Sequence, residues 1–273
     1  MSDPSRGIRE HYGSAALSER ILRALADSGQ DVEHLTPEAL FPVDQLHGRG
    51  LAATQEHLAK LALVPTQHLL DVGSGLGGPA RYAASAFGVQ VTGVDLTPEF
   101  VATAIDLTAR VGLAKRVRFE CGNALRLPFG AEAFDAASSL YVGMNLANKR
   151  GVLDEVYRVL KPGAKLVWSE AVRLSEDPPE FPLPWATEPA TSFLVAQATL
   201  ETALAAADFR VLEVNDETPL LLAYVEQRRS ADAANQLSNA VVFGPDFGAR
   251  VENFHRGLVG GKIGSVLIVA ERA

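Results

Sequence analysis

His68-Leu69-Leu70-Asp71-Val72-Gly73-Ser74-Gly75-Leu76-Gly77-Gly78-Pro79 is the stretch that decides the fold. Its first five residues form a short, mostly apolar run of the kind that becomes a buried strand, and Gly73 ends it. The glycines that follow let the backbone turn sharply and approach a ligand closely. Pro79 suits the first turn of a helix, and an Ala-rich helical run continues to Phe87. The free amides at that helix N-terminus face whatever the turn holds.

The same alternation repeats downstream. Val89 to Val94 reads as a second strand; Thr97 can cap a helix with Pro98 and Glu99 in its first turn and Val101, Ile105 and Val111 on one face. Arg116 to Glu120 and Phe134 to Leu140 read as the third and fourth strands. A helix from Lys149 to Leu160 turns Val152, Leu153, Val156 and Tyr157 inward and stops at Pro162-Gly163, and Lys165 to Glu170 is the fifth strand. Strands alternating with helices at this spacing imply right-handed crossovers and an α/β fold with helices on both faces of the sheet.

Upstream, two amphipathic stretches, Ser14 to Asp27 and Leu51 to Leu63, read as helices; a loop carrying Pro37, Pro42 and Gly48-Arg49-Gly50 joins them. Downstream, a Pro-rich stretch from Pro178 to Pro189 leads to a helix from Thr191 to Ala207, then to strands at Arg210–Asn215 and Ser265–Ala270. The intervening segment, with Phe247, Val251, Phe254 and Leu258 at helical spacing, is long enough to fold over the active face. The expectation is one structural domain: N-terminal helices over 1–64, a Rossmann-like core over 65–172, and cap insertions with the last two strands over 173–273. Its sheet should be seven-stranded and mostly parallel.

Composition narrows the partners. The chain has 273 residues, 47% hydrophobic, with 25 Lys+Arg against 33 Asp+Glu and a net charge of −8. An acidic surface argues against nucleic acid or an anionic membrane as the main partner. Cys121 is the one cysteine, so neither an internal disulfide nor a multi-cysteine zinc site is available, and a reducing cytoplasm fits. No run of 18 apolar residues could span a bilayer, and Met1 to Ser14 has no apolar centre of the secretory type. No His/Cys/Asp/Glu grouping has the spacing of a metal site.

Two acids sharpen the glycine turn. Asp95, at the end of the second strand, can accept both hydroxyls of an adenosine ribose, a group shared by NAD and S-adenosylmethionine. Asp71, just before the turn, would repel a pyrophosphate but suits a ligand carrying an amine cation and a sulfonium.

With these residues in place the sequence resembles the class I S-adenosylmethionine-dependent methyltransferases over about Leu69 to Val172. Asp71 to Gly77 matches the family's first motif and Asp95-Leu96 its ribose acid and adenine neighbour. Gly122-Asn123-Ala124 stands where Gly-Asp-Ala is usual, Phe134-Asp135 opens the fourth strand, and Arg158-Val159-Leu160-Lys161-Pro162-Gly163 matches the block before the fifth, with Ala164 replacing its last glycine. The resemblance implies that Asp71, Gly73, Gly75 and Gly77 hold the methionyl part of S-adenosylmethionine, Asp95 the ribose, and Leu96, Asn123 and Ala124 the adenine, with Leu140 also a cofactor-binding residue. An Asn at 123 can still accept from an adenine amino group, without charge.

The layout is similar to the small-molecule branch that includes the sarcosine, dimethylglycine and phosphoethanolamine N-methyltransferases, with quinone C-methyltransferases more distant. That likeness implies a small amine acceptor methylated in line, with S-adenosyl-L-homocysteine as product. The alternatives are a quinone or phenol methylated at carbon or oxygen, marked by a deep apolar pocket, and a non-catalytic S-adenosylmethionine sensor or assembly subunit. Asn145 replaces the His that the phosphoethanolamine enzymes carry after the fourth strand, and an amide cannot take a proton near pH 7. Tyr12, resembling the family's lid tyrosine, Tyr141 and Asn145 are the candidates beside the reacting methyl. His47, Arg49, Met144 and Trp185 are the candidates for the acceptor wall.

Overall fold

A computed structural model describes residues 17–230 and 237–273. Seven strands form one sheet in the order β3-β2-β1-β4-β5-β7-β6. They are β1 (His68–Val72), β2 (Gln90–Asp95), β3 (Val117–Cys121), β4 (Phe134–Leu140), β5 (Leu160–Arg173), β6 (Phe209–Asp216) and β7 (Ile263–Arg272). The first five pair in parallel, and β7 runs antiparallel between β5 and β6. A parallel sheet buried on both faces needs near-continuous apolar strands, which is how Leu69, Leu70 and Val72 read.

The helices are α1 (Leu17–Asp27), α2 (Pro37–Asp44), α3 (Gly50–Ala59), α4 (Gly78–Phe87), α5 (Pro98–Arg110), α6 (Lys149–Val159), α7 (Gln197–Ala206), α8 (Thr218–Ser230), α9 (Ala240–Phe243) and α10 (Phe247–Val259). On one face of the sheet Val152, Leu153 and Val156 of α6 and Leu200 and Leu204 of α7 pack against Leu70, Leu166 and Trp168. On the other, Leu58 of α3, Ala80, Ala83 and Ala84 of α4 and Val101 and Ala104 of α5 cover Leu69, Val91 and Val167. A third cluster joins Tyr141 and Met144 to Trp185, Leu221, Phe254 and Leu258, which places the cap over the tip of β4.

Several sequence expectations need correction. The proline-bearing segment between the first two helices is itself helical: Pro37 sits in the first turn of α2, where its missing N–H costs nothing, and Pro42 lies inside the helix. Helix α8 lies in the long segment between the last two strands, where the sequence reads as helical only at Phe247 to Leu258. Strand β5 extends from Leu160 through Arg173, beyond both expected ends, because Leu160 pairs with Phe134 across an irregularity and the distal half pairs with β7. Helix α7 starts at Gln197, after a short 3-10 turn at Pro189–Thr191. No helix among the described residues is long and apolar enough to cross a membrane.

Candidate active site

The glycine turn is built by backbone geometry. Gly73, Gly75 and Gly77 all have left-handed backbones, with φ of 73°, 51° and 80°. Side chains are barred as well as strained: a Cβ at Gly73 would collide with Val142, and one at Gly77 with Phe119. The N–H groups of Gly73 and Ser74 donate to the Val94 carbonyl at 2.8 and 3.0 Å, stapling the turn to the end of β2.

Asp95 fixes the other side of that staple. Its Oδ2 accepts from the Gly75 N–H at 2.8 Å and its Oδ1 from the Thr97 N–H at 2.9 Å. Thr97 therefore opens α5 with its backbone amide, and its side chain makes no cap bond to the helix. Burial raises the Asp95 carboxyl above the usual carboxylate range, opposed by these hydrogen bonds. Asp71 is also buried, which pushes it up to about 7; the Ser138 hydroxyl donating to Oδ1 at 2.9 Å opposes that rise, and the Asp95 charge adds to it.

A cleft at these strand tips is lined by Asp71, Gly73, Ser74, Gly75, Asp95 and Leu96, with Asn123, Ala124, Leu140 and Asn145 beyond them. Asp71 Oδ2 and Asn145 Oδ1 are buried and have no hydrogen-bond partner among the described residues. Unpaired buried acceptors cost free energy unless a donor meets them, so the cleft suits a cationic amine. These residues fit S-adenosylmethionine on that count. Asn123 departs from expectation in part: its Oδ1 already accepts from the Leu125 N–H at 2.9 Å. Gly77 lies off the cleft wall, against Phe119, where it shapes the turn.

A second cavity, of about 390 Å³ against about 130 Å³ for the first, opens under the cap. Leu46, His47, Tyr141 and Phe243 border both, so they mark where the two meet. Phe41, Met144, Trp185, Tyr224, Phe247 and Phe254 supply much of the remaining wall. No carboxylate lines it among the described residues. Tyr141 has φ of 57°, uncommon for a residue with a side chain, which turns its ring from the end of β4 toward His47. Its hydroxyl pairs with Ser265 Oγ at 2.7 Å, and burial raises its pKa, so it stays protonated.

The expected acceptor residues divide. His47, Tyr141, Met144 and Trp185 reach the second cavity; Asn145 lines the first alone. Arg49 lines neither: it is buried and bonded to Glu217 Oε1 at 2.8 Å and to Glu56, and His57 Nε2 meets the same Glu217 at 2.9 Å. Its role is to clamp α3 to the start of α8. Tyr12 lies outside the described residues. Sequence reading missed Gln45 and Phe243, whose position on the walls depends on how α2 and α9 pack. Among the described residues no group of His, Cys, Asp and Glu could hold a metal ion.

Residues 70–168 match the family model described as a methyltransferase domain. That stretch of the chain is a methyltransferase domain. The chain is 31% identical, across 167 residues, to the O-methyltransferase cnsE of Penicillium expansum, covering 61% of this chain and 60% of that protein. It is 37% identical over 127 residues to a probable chloroplastic tocopherol O-methyltransferase of Oryza sativa, covering 44% and 35%. It is 32% identical over 129 residues to phosphoethanolamine N-methyltransferase 1 of Arabidopsis thaliana, covering 47% and 26%. The chain thus spans less than two thirds of each of these relatives. Among solved structures, the [4+2]-cyclase SpnF matches with a TM-score of 0.72 at 26% identity, covering 99% of this chain and 97% of that one. The Streptomyces coelicolor geranyl diphosphate C-methyltransferase matches with a TM-score of 0.74 at 20% identity, covering 100% and 99%, a likeness of fold alone. The relatives of the methyltransferase domain include N-, O- and C-methylating enzymes, so the domain alone does not decide the kind of acceptor.

Proposed function

We propose that the protein is an S-adenosylmethionine-dependent methyltransferase whose acceptor is an apolar small molecule, methylated at a hydroxyl oxygen or a carbon. The observation that carries this reading is the wall of the second cavity: mostly aromatic and aliphatic, with Gln45, His47, Arg228, Ser238 and Asn239 as its polar members and no carboxylate among the described residues. A hydrophilic amine cation would be desolvated there without a counter-ion, which costs several kcal/mol per ion on the order given for buried charges. The amine acceptor expected from the narrower family likeness is therefore less well served than the phenol or quinone alternative.

When bound, the cofactor supplies an electrophilic methyl group. The protein supplies the rest. Asp71 and Asn145 offer unpaired oxygens to an ammonium group, Asp95 offers its remaining lone pairs to ribose hydroxyls, and Leu46, Tyr141 and Phe243 shape the passage between the cavities. Much of the rate advantage in such a displacement comes from alignment in a water-poor site, and these walls are suited to both.

Similarity to a [4+2]-cyclase over nearly the whole chain supports a second reading, in which the same apolar cavity folds a substrate for ring closure. Incubation with methyl-labelled S-adenosylmethionine and a panel of apolar phenols, quinols, alkenes and small amines separates the readings. Label in an apolar oxygen or carbon acceptor supports the proposal. Label in sarcosine or phosphoethanolamine, or ring closure without release of S-adenosylhomocysteine, contradicts it.

A further inference from the structure

A buried chain of hydrogen bonds runs from the cofactor-side helix to the cavity junction, and its polarity can be followed donor by donor. Arg81, fully buried in α4, donates Nη2–H to Asp44 Oδ2 at 2.8 Å. Gln45 Nε2 donates to Asp44 Oδ1 at 2.7 Å. This fixes the amide: Gln45 Oε1 faces Thr54 Oγ1 at 2.6 Å and can only accept, so the Thr54 hydroxyl donates to it. Thr54 has then spent its one hydrogen. Its Oγ1 lies 2.9 Å from His47 Nε2 and can only accept from it.

The neutral ring therefore carries its proton on Nε2, and burial, which holds its pKa down to about 4, keeps it neutral. His47 Nδ1 is left as a lone pair, 3.1 Å from the Gly48 carbonyl oxygen, itself an acceptor. Two acceptors face each other with no hydrogen between them. His47 and Gly48 both line the acceptor cavity, and His47 lines the cofactor cleft as well.

Building on the methyltransferase reading above, we propose that His47 Nδ1 and the Gly48 carbonyl form a paired acceptor site that recognises the hydroxyl hydrogen of the substrate, and that Asp44, Gln45 and Thr54 are positioning residues that fix the ring tautomer. The substrate O–H bridges both acceptors. When its proton leaves, the O–H bond would break with its electron pair remaining on oxygen; that oxygen would bond to the methyl carbon of S-adenosylmethionine as the methyl–sulfur bond breaks, whose electron pair would stay on the sulfur of the departing S-adenosylhomocysteine. The Nδ1–H bond forms, and the imidazolium is held by the Gly48 carbonyl on one side and Thr54 on the other. This assigns the substrate class more narrowly: an apolar body bearing one hydrogen-bond donor at the end nearest the cofactor.

The tautomer is measurable without a substrate. In protein labelled with 15N-histidine, with His47 assigned by the signal lost in His47→Gln, the expected spectrum shows a protonated Nε2 and a bare Nδ1 at pH 7. Thr54→Val should move the proton to Nδ1, where it can meet the Gly48 carbonyl. A native protein with the proton on Nδ1 overturns the proposal. Recognition is tested in the S-adenosylhomocysteine complex by titration with 2-naphthol and with 2-methoxynaphthalene, which lacks the donor. Naphthol should bind at least about tenfold more tightly, the scale of one buried hydrogen bond, and His47→Phe should abolish the difference. Equal affinities in the native complex overturn the paired site. If neither probe binds, the apolar-cavity reading itself fails, and the tautomer spectrum still decides the His47 assignment.

Discussion

Gly143 lies directly over the Glu170 carboxyl, so closely that a Cβ at 143 would collide with Oε1, Cδ and Oε2 of that side chain. The turn Gly143–Asn145, which carries Met144 to one cavity and Asn145 to the other, is thereby seated on a buried acid of β5. Glu170 accepts from Trp168 Nε1–H at 3.1 Å, while its Oε2 has no partner among the described residues. Gly143→Ala should cost about 1–3 kcal/mol through overpacking, read as a lowered melting temperature, and should impair methyl transfer as the turn shifts. An unchanged melting temperature would show that the floor yields freely.

The unliganded protein should lose stability as pH rises toward neutrality. Burial raises Asp71 and Glu170 each to about 7, with Ser138 opposing the rise at Asp71 and Lys149 and Trp168 opposing it at Glu170. An acid whose folded pKa is raised gives stability that is complete below its usual range near 4 and lost as pH climbs through the folded value. The expected observation is a melting temperature that falls between about pH 4 and 7 from these two groups. Asp71→Asn should remove its share of that slope, and a parallel curve for the variant would refute the assignment.

Cofactor binding should reverse part of this. A cation placed beside Asp71 favours the carboxylate, so affinity for S-adenosylmethionine should rise as pH increases through about 7, with release of a proton on binding. Calorimetry in buffers of different ionisation enthalpy measures that proton directly. Proton uptake would contradict the placement of the amine at Asp71.

Asp95 holds the glycine turn through Gly75 as well as facing the cleft, so it serves loop and ligand together. Asp95→Ala should weaken S-adenosylmethionine binding by at least about tenfold, the equivalent of one or more lost charge-assisted hydrogen bonds. Calorimetric affinity equal to the native value would remove Asp95 from the site.

Arg49, Glu217 and His57 form a buried cluster joining α3 to the start of α8. Removing the acid leaves the buried guanidinium only the half-exposed Glu56 as partner, and Glu217→Ala should cost about 3 kcal/mol in denaturant unfolding, the lower end for a broken buried pair. A loss below about 1 kcal/mol would place the cluster in the class of surface pairs instead.

How much of this was legible depended on whether the signal was local. The turn from Asp71 to Gly78 and the acid at Asp95 could be read because glycine chemistry, strand ends and helix starts are written in neighbouring residues. Met144 and Trp185 both line the second cavity; Met144 could be placed near the strand tips because it follows the fourth strand, whereas Trp185 among its prolines carried no such signal. Arg49 was placed on the acceptor wall, which it does not line, because its partner, Glu217, is 168 residues away. Helix α2 was hidden by Pro37 and Pro42, and α8 by consecutive leucines at 220–222 that show neither period clearly. The chain from Arg81 to His47 was invisible for the same reason as Arg49: Asp44 and Arg81 meet only after α2 packs on α4. The proposed acceptor class rests on cavity walls drawn from five separate segments, which no single stretch of sequence displays.

Calorimetric titration of the purified protein with S-adenosylmethionine, followed by NAD, tests the cleft most directly. Saturable one-site binding of the sulfonium, displaced by S-adenosylhomocysteine, with no heat from NAD, is the expected result. No binding of the sulfonium, or tighter binding of NAD at the same cleft, would contradict it.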